Sequence, residues 1–292
     1  MSTTTNGTST VPAEAERIRH ILVSRQDTPQ RPGAVSASLT YGWRALLKIK
    51  HVPEQLFDVT IFPIMMTVMM TYVFGGSIGA AVSGQEAGGD AVGAYVQWLI
   101  PGIFAQTLVM ITMYTGLTLN RDISKGVFDR FRSLPVWRPA QLVGALLGDQ
   151  VRYTLAGVII LVVGFIMGFR PAGGLPGVLA AFLMLLVFSF CLSWVWTTVA
   201  LLMRTEQAAM GVSMFIMMPL TFVSNIFAPT ESMPGPVRAF AEANPVSTLV
   251  GCIREFMDGV YDIGSITAVL IYCAVLVVIF GPISMFVYNR KS

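Results

Sequence analysis

Apolar residues dominate six stretches of the chain, each close to the 20 or so positions that carry a helix across a bilayer core. They run from Leu56 to Phe74, Tyr95 to Leu119, Tyr153 to Phe169, Leu175 to Met203, Ala208 to Ala228 and Ile266 to Tyr288. The pattern predicts an all-α membrane protein with six transmembrane helices. The fourth stretch is long enough to tilt. Between the first two, GGSIGAAVSGQEAGGD is Gly-rich and mildly acidic, which predicts a flexible loop.

Ahead of the first stretch the pattern changes. In SLTYGWRALLKIKHVPEQ, Leu39, Trp43, Leu46 and Leu47 make an apolar stripe, while Arg44, Lys48 and His51 fall elsewhere. This predicts an amphipathic helix over 36–54, lying at headgroup level with Trp43 as its anchor. Residues 1–35 begin Ser/Thr-rich and lack the basic start and apolar core of a secretory signal, so a disordered tail is expected there.

Charge orients the spans. Only 12% of the 292 residues are charged, about half the usual share for a soluble domain. Of the 19 Lys and Arg residues, 16 fall before the first stretch, around the second connector, after the fourth stretch or at the C-terminus. Arg170, Arg238 and Arg254 make up the other side. The imbalance places both termini, including 289–292, and the 120–139 connector in the cytoplasm. This predicts a multi-pass protein with its positively charged side toward the cytoplasm.

Several chemistries find no support. The central parts of the spans carry no Asp, Glu, Lys, Arg or His, which argues against a proton-coupled pump. His20 and His51 precede the first span, and Cys191, Cys252 and Cys273 are widely spaced. No metal, haem or nucleophile–base site follows from them. Asp149 and Arg152 flank the start of the third span at a spacing that allows an ion pair. The phosphate-binding pattern GxxxxGK[ST] is absent, so any ATP-driven work enters through a partner.

The connector NRDISKGVFDRFRSLPVWRP is too rich for a plain turn. Asp122 can cap a short helix and Pro135 stops it. Val127, Phe128, Phe131 and Leu134 fall on one side, with Asp129, Arg130 and Ser133 on others. Docking into a groove on another protein and resting on the lipid surface both fit this pattern. Farther along, Asn244 can cap a helix, Pro245 fits its first position and Gly259 can end it. A shorter helix over 236–243 precedes it, and Arg254 and Asp258 can pair at i,i+4. Two re-entrant helices over 229–262 are expected; an external hairpin with no transport role is the plainer alternative.

GVFDRFRSLPVWRPAQL resembles the cytoplasmic coupling segment of ABC-2-type export permeases, in particular the daunorubicin-resistance membrane subunit group of actinobacterial drug exporters. FVSNIFAPTESMPGPVRAFAEANPVSTLVGCIREFMDG and HVPEQLFDVTIFPIM resemble the same branch. The likeness runs from about Ser36 to Tyr288, and implies an ABC-2, type V exporter-like domain over 55–288. Some relatives carry an acidic residue and Arg-Gly where this chain reads Ser124-Lys125-Gly126. The resemblance implies a non-catalytic half-transporter that pairs with a second permease copy and docks an ATP-binding subunit. That subunit would hold ATP and Mg; no cofactor is expected in this chain and no nucleic acid among its partners. Gly126, Val127, Phe128, Asp129, Arg130, Phe131, Arg132 and Leu134 would form the coupling contact.

By the same resemblance the second and fifth spans line the pathway. That singles out Tyr114, Met214, Phe215, Met218, Phe222 and Asn225. Met and aromatic side chains adapt to varied apolar ligands, and they also serve as ordinary packing or lipid contact. Asn225 can equally make an interhelical hydrogen bond. The expected cargo is an amphipathic aromatic small molecule such as an anthracycline-like antibiotic. Export of a lipid, glycolipid or polysaccharide keeps the architecture; a stand-alone channel or secondary carrier is the alternative of another class.

Overall fold

The structure is a computed structural model that describes residues 53–83, 89–124 and 140–290. Among these, eight α-helices and one 3-10 turn make up the regular structure. They are α1 Pro53–Ser83, α2 Gly89–Ser124, α3 Ala140–Ile166, α4 Gly174–Leu202, α5 Glu206–Phe222, the turn Thr230–Ser232, α6 Gly235–Ala243, α7 Pro245–Asp258 and α8 Ile263–Arg290. The tail 1–35, the interface helix apart from its last two residues, and Gly126 to Leu134 of the connector lie outside the described residues.

Among the described residues, five helices are long and apolar enough to cross a membrane, over Ile61–Ala80, Ala91–Arg121, Leu146–Ile166, Gly174–Leu202 and Ile263–Tyr288. The fifth expected crossing differs. α5 has 17 residues and stops at Phe222, well short of Ala228. Val223 leaves helical geometry, and the next side chains compete for the backbone. Ser224 Oγ donates to the Thr221 carbonyl at 2.6 Å, and the Ile226 N–H donates to Ser224 Oγ at 3.4 Å.

Part of the Gly-rich stretch after the first span differs from its expectation as a loop: α1 continues as helix to Ser83 and α2 begins at Gly89, while 84–88 lie outside the described residues. Its glycines make a contact surface. A Cβ on Gly79 would strike the Ala91 carbonyl, and one on Gly75 would lie 3.3 Å from Val92. Small residues at such spacing let two membrane helices approach closely.

α2 is the hub: α1, α3, α4, α5 and α7 all pack on it, and α8 packs on α4 and α7. Tyr95, Leu99, Ile103, Phe104 and Leu108 are fully enclosed along α2, and Trp196 is fully enclosed on α4. Polar cross-links pin this core. Tyr153 OH on α3 hydrogen-bonds Thr115 on α2 and, at 3.0 Å, Ser193 on α4. Trp196 Nε1 donates to Thr112 Oγ at 2.8 Å, and Thr198 pairs with Ser284 of α8 at 2.7 Å. Interhelical hydrogen bonds in membranes contribute about 0.6 kcal/mol each, so they serve alignment more than bulk stability. The expected Asp149–Arg152 pair is present at 3.1 Å.

Candidate functional site at the two ends of the fifth helix

α5 packs on α2 and α4 through Ala209, Ser213, Met217 and Thr221, a buried row at four-residue spacing. Its other side is bare. Phe215 is 82% exposed, and Met214, Met218 and Phe222 are exposed beside it to a lesser degree. The structure thus gathers four of the six expected pathway residues on one apolar face. Tyr114 lies on α2, partly buried against the core, and Asn225 lies in the turn after α5.

At one end α5 is tied to α2 by charge. The Arg121 guanidinium grips the Glu206 carboxylate, with Nε–H donating to one oxygen at 3.1 Å and Nη2 to the other. The neighbouring Asn120 Nδ2 donates to the carbonyls of Ala200 and Met203 at 2.8 and 3.1 Å, closing the end of α4. Thr205 then starts α5, its Oγ accepting from the Ala208 N–H at 3.2 Å. Three residues beyond Arg121, within the 120–139 connector, α2 ends at Ser124.

At the other end two side chains from the 229–262 segment do most of the tying. Asn244 Oδ1 accepts from the Val246 N–H at 2.9 Å, the expected cap of α7. Its Nδ2 donates to the carbonyls of Leu220 and Val223, both at 2.8 Å, so the same residue closes the end of α5. Gly259, at φ +83°, ends α7 in a left-handed turn, with the Val260 N–H reaching the Glu255 carbonyl at 2.8 Å.

The expected Arg254–Asp258 ion pair does not form. Arg254 instead turns toward α2: Nε–H donates to the Trp98 carbonyl at 3.1 Å, and Nη2 to the Asn225 carbonyl at 2.9 Å. Its guanidinium stands 3.8 Å from the Trp98 ring centroid. A planar fork of donors suits several carbonyls at once, which outweighs one solvated carboxylate on its own helix. Burial pushes the Arg254 guanidinium down to about 9, against the pull of Asp258, so it stays charged at neutral pH. Gly102 makes room: a Cβ there would lie 2.8 Å from the Ile226 carbonyl and 3.2 Å from Arg254 Nη2. Tyr95 OH donates to the Phe227 carbonyl at 3.4 Å, and Phe227 stacks on Phe222.

α7 is held from its other side by α4. The Gly173 N–H donates to the Met257 carbonyl at 2.7 Å, and a Cβ on Gly177 would collide with the Phe256 carbonyl. Charge spacing alone gives no hint of Trp98, Asn120 or the second role of Asn244. Asn120 and Asn244 donate to backbone carbonyls far away in sequence, and Trp98 receives the distant Arg254 on its own carbonyl and ring.

Long apolar helices gathered round α2 define a multi-pass membrane protein. The chain belongs to the ABC-2 type transporter family, whose pattern matches residues 37–257. It is 41% identical, over 99% of both chains, to the daunorubicin resistance ABC transporter permease protein DrrB1 of Streptomyces coeruleorubidus. It is 24% identical to the probable doxorubicin resistance ABC transporter permease protein DrrC of Mycobacterium tuberculosis, over 89% of this chain and 94% of that one.

Proposed function

We propose that this chain is the membrane subunit of an ATP-driven exporter of amphipathic, aromatic small molecules. Its family and the drug-resistance names of its relatives support that class of cargo. In this reading α5 is the fifth of six crossings. Seventeen residues rise about 26 Å, at the short end of what a bilayer core needs, and the turn after Phe222 completes the span. Both termini and the 120–139 connector are cytoplasmic, and α6 and α7 form a re-entrant cap on the external side.

Two copies pair, and each docks an ATP-binding subunit that carries ATP and Mg. Phe128 and Phe131 plug the groove on that subunit, with Gly126, Val127, Asp129, Arg130, Arg132 and Leu134 completing the contact. The exposed face of Met214, Phe215, Met218 and Phe222, with Tyr114 and Asn225, borders the cargo route.

The observation that carries the reading is the attachment of α5 to α2 at both ends. Arg121 joins Glu206 at the start of the connector, five residues before Gly126, and Arg254 joins the turn after α5 to Trp98. A push on the connector therefore reaches the bare face of α5 and the α7 cap through a short mechanical path. Alternating exposure of that face is the proposed mechanism.

The test reconstitutes the full chain with its cognate ATP-binding subunit. Exchange of Phe128 and Phe131 for Asp should abolish co-purification of that subunit and cargo-stimulated ATP hydrolysis. Unchanged docking and hydrolysis would remove the proposed coupling. Uphill transport by the chain alone would replace it with a stand-alone carrier.

A further inference from the structure

Gln106 sits in the middle of α2 and is 1% exposed. Neither its amide nitrogen nor its amide oxygen has a hydrogen-bond partner among the described residues. A carboxamide offers two donor hydrogens and an acceptor oxygen, and folded proteins rarely leave such a group buried and unmatched. Its neighbours along α2 are otherwise engaged. Thr107 donates to the Ile103 carbonyl at 2.8 Å, Thr112 to Val109 at 2.6 Å, and Thr115 bonds Tyr153.

The position of Gln106 follows from Gly102, one helical turn earlier on the same side of α2. Gly102 abuts the Ile226 carbonyl and Arg254. Gln106 therefore lies about 6 Å along the helix axis from the place where α2 meets the turn after α5. Asn225 is in that turn. Its N–H and carbonyl are held by Ser247 and Arg254, yet its Oδ1 is buried with no partner. Thr221 gives its hydroxyl to the Met217 carbonyl at 2.8 Å and Ser224 to the Thr221 carbonyl at 2.6 Å, and neither supplies the missing bonds. One wholly unmatched carboxamide and one unmatched amide oxygen thus belong to the two elements that meet at this junction.

We infer that Gln106, with Asn225, is a neutral hydrogen-bonding station for a hydroxyl or carbonyl group of the cargo, and that Gln106 sets the preference for cargo carrying that group. The inference rests on the export reading above. Neither amide carries charge, and the Arg254 fork at the junction is already taken up by the Trp98 and Asn225 carbonyls, so a neutral group that donates or accepts is the match. Phe222, three residues before Asn225, supplies an aromatic surface at the edge of the same turn. An amphipathic molecule with a flat ring system and peripheral oxygens satisfies both.

A bound water offers the same hydroxyl chemistry, and the experiment separates the two sources. The full chain with its ATP-binding subunit is reconstituted in vesicles and given daunorubicin and a panel of analogues, each lacking one hydroxyl or carbonyl oxygen. The readout is the half-saturating concentration of each analogue relative to the parent compound. In the wild type at least one deletion should weaken binding about tenfold or more, because a buried polar group is then left unpaired. In Gln106→Met, similar in length but apolar, that penalty should shrink to within about twofold, by weakening of the parent compound. Asn225→Leu should move the same ratio and serves where Gln106→Met fails to fold. An unchanged ratio overturns the inference. So does equal weakening of every analogue together with a lower melting temperature, which assigns the amides to a structural water. If the wild type exports none of the panel, the export reading itself falls and this inference with it.

Discussion

The guanidinium of Arg254 lies 3.8 Å from the Trp98 ring centroid while its Nε–H donates to the carbonyl of that same tryptophan at 3.1 Å. One residue of α7 thus holds both the face and the backbone of one residue of α2. Arg254→Lys should lose the fork and most of the stacking. Hydrogen bonds from a charged donor are worth about 1.5–3 kcal/mol each, so a loss of about 2 kcal/mol in thermal or denaturant unfolding is expected. In a double-mutant cycle with Trp98→Leu, the coupling should reach about 1 kcal/mol. Additive losses would show that the ring contact contributes nothing.

Asn244 serves two helices with two different atoms, which a single substitution pair can separate. Asn244→Asp keeps an acceptor for the Val246 N–H but sets a carboxylate against the carbonyls of Leu220 and Val223. Asn244→Ser keeps a cap for α7 and simply drops the donations to α5. Asp should therefore be the worse of the two, by about 1 kcal/mol or more, despite being an equally good N-cap. Equal stability of the two variants in detergent would mean that the α5 carbonyls have no need of Asn244.

Glycines give a graded test of how tightly α7 is seated. Gly177→Ala would drive a methyl into the Phe256 carbonyl, and Gly102→Ala would crowd both the Ile226 carbonyl and Arg254. Backbone atoms cannot step aside as a side-chain tip can, so both variants should fall in the range of about 1–3 kcal/mol for overpacking. Gly251, inside α7, has nothing within 4 Å of its virtual Cβ. Gly251→Ala should instead stabilise by about 0.5–1 kcal/mol through helix propensity. Melting temperatures of the three purified variants decide the order.

The start and stop of α7 are written in its own residues. Asn244, Pro245 and Gly259 act locally, and each carries the backbone preference that its place demands. The Asp149–Arg152 pair is legible for the same reason, being fixed by helical spacing. Interactions across the sequence are not. Nothing near Arg254 announces Trp98, and the nearer Asp258 is the more obvious partner. The end of α5 is also hidden, because Val223 to Phe227 remain apolar enough to extend a helix; Ser224 and Asn244 decide otherwise through the backbone. In the same way a search of the spans for charge passes over Gln106, whose amide is polar without being ionisable. At the connector, the outlines of the candidate site come from resemblance, since docking and lipid contact share one amphipathic pattern.

Arg121 and Glu206 offer the sharpest test of force transmission. Their side chains are 47% and 38% exposed, so the pair should contribute no more than about 1 kcal/mol to stability. Its proposed importance is mechanical, since it ties the end of α2, where the connector begins, to the first turn of α5. Arg121→Glu and Glu206→Arg should each place like charges in contact and uncouple the two helices. Cargo-stimulated ATP hydrolysis should then fall about tenfold or more, which corresponds to roughly 1.4 kcal/mol on the rate, while the melting temperature barely moves. Combining the two restores opposite charges in reversed positions, and activity should return to within about threefold of wild type, the residue of a changed geometry at a forked arginine. Were the double variant as inactive as either single one, the two residues would matter separately, and the path from connector to α5 would have to run through the buried row of Ala209, Ser213 and Met217 instead.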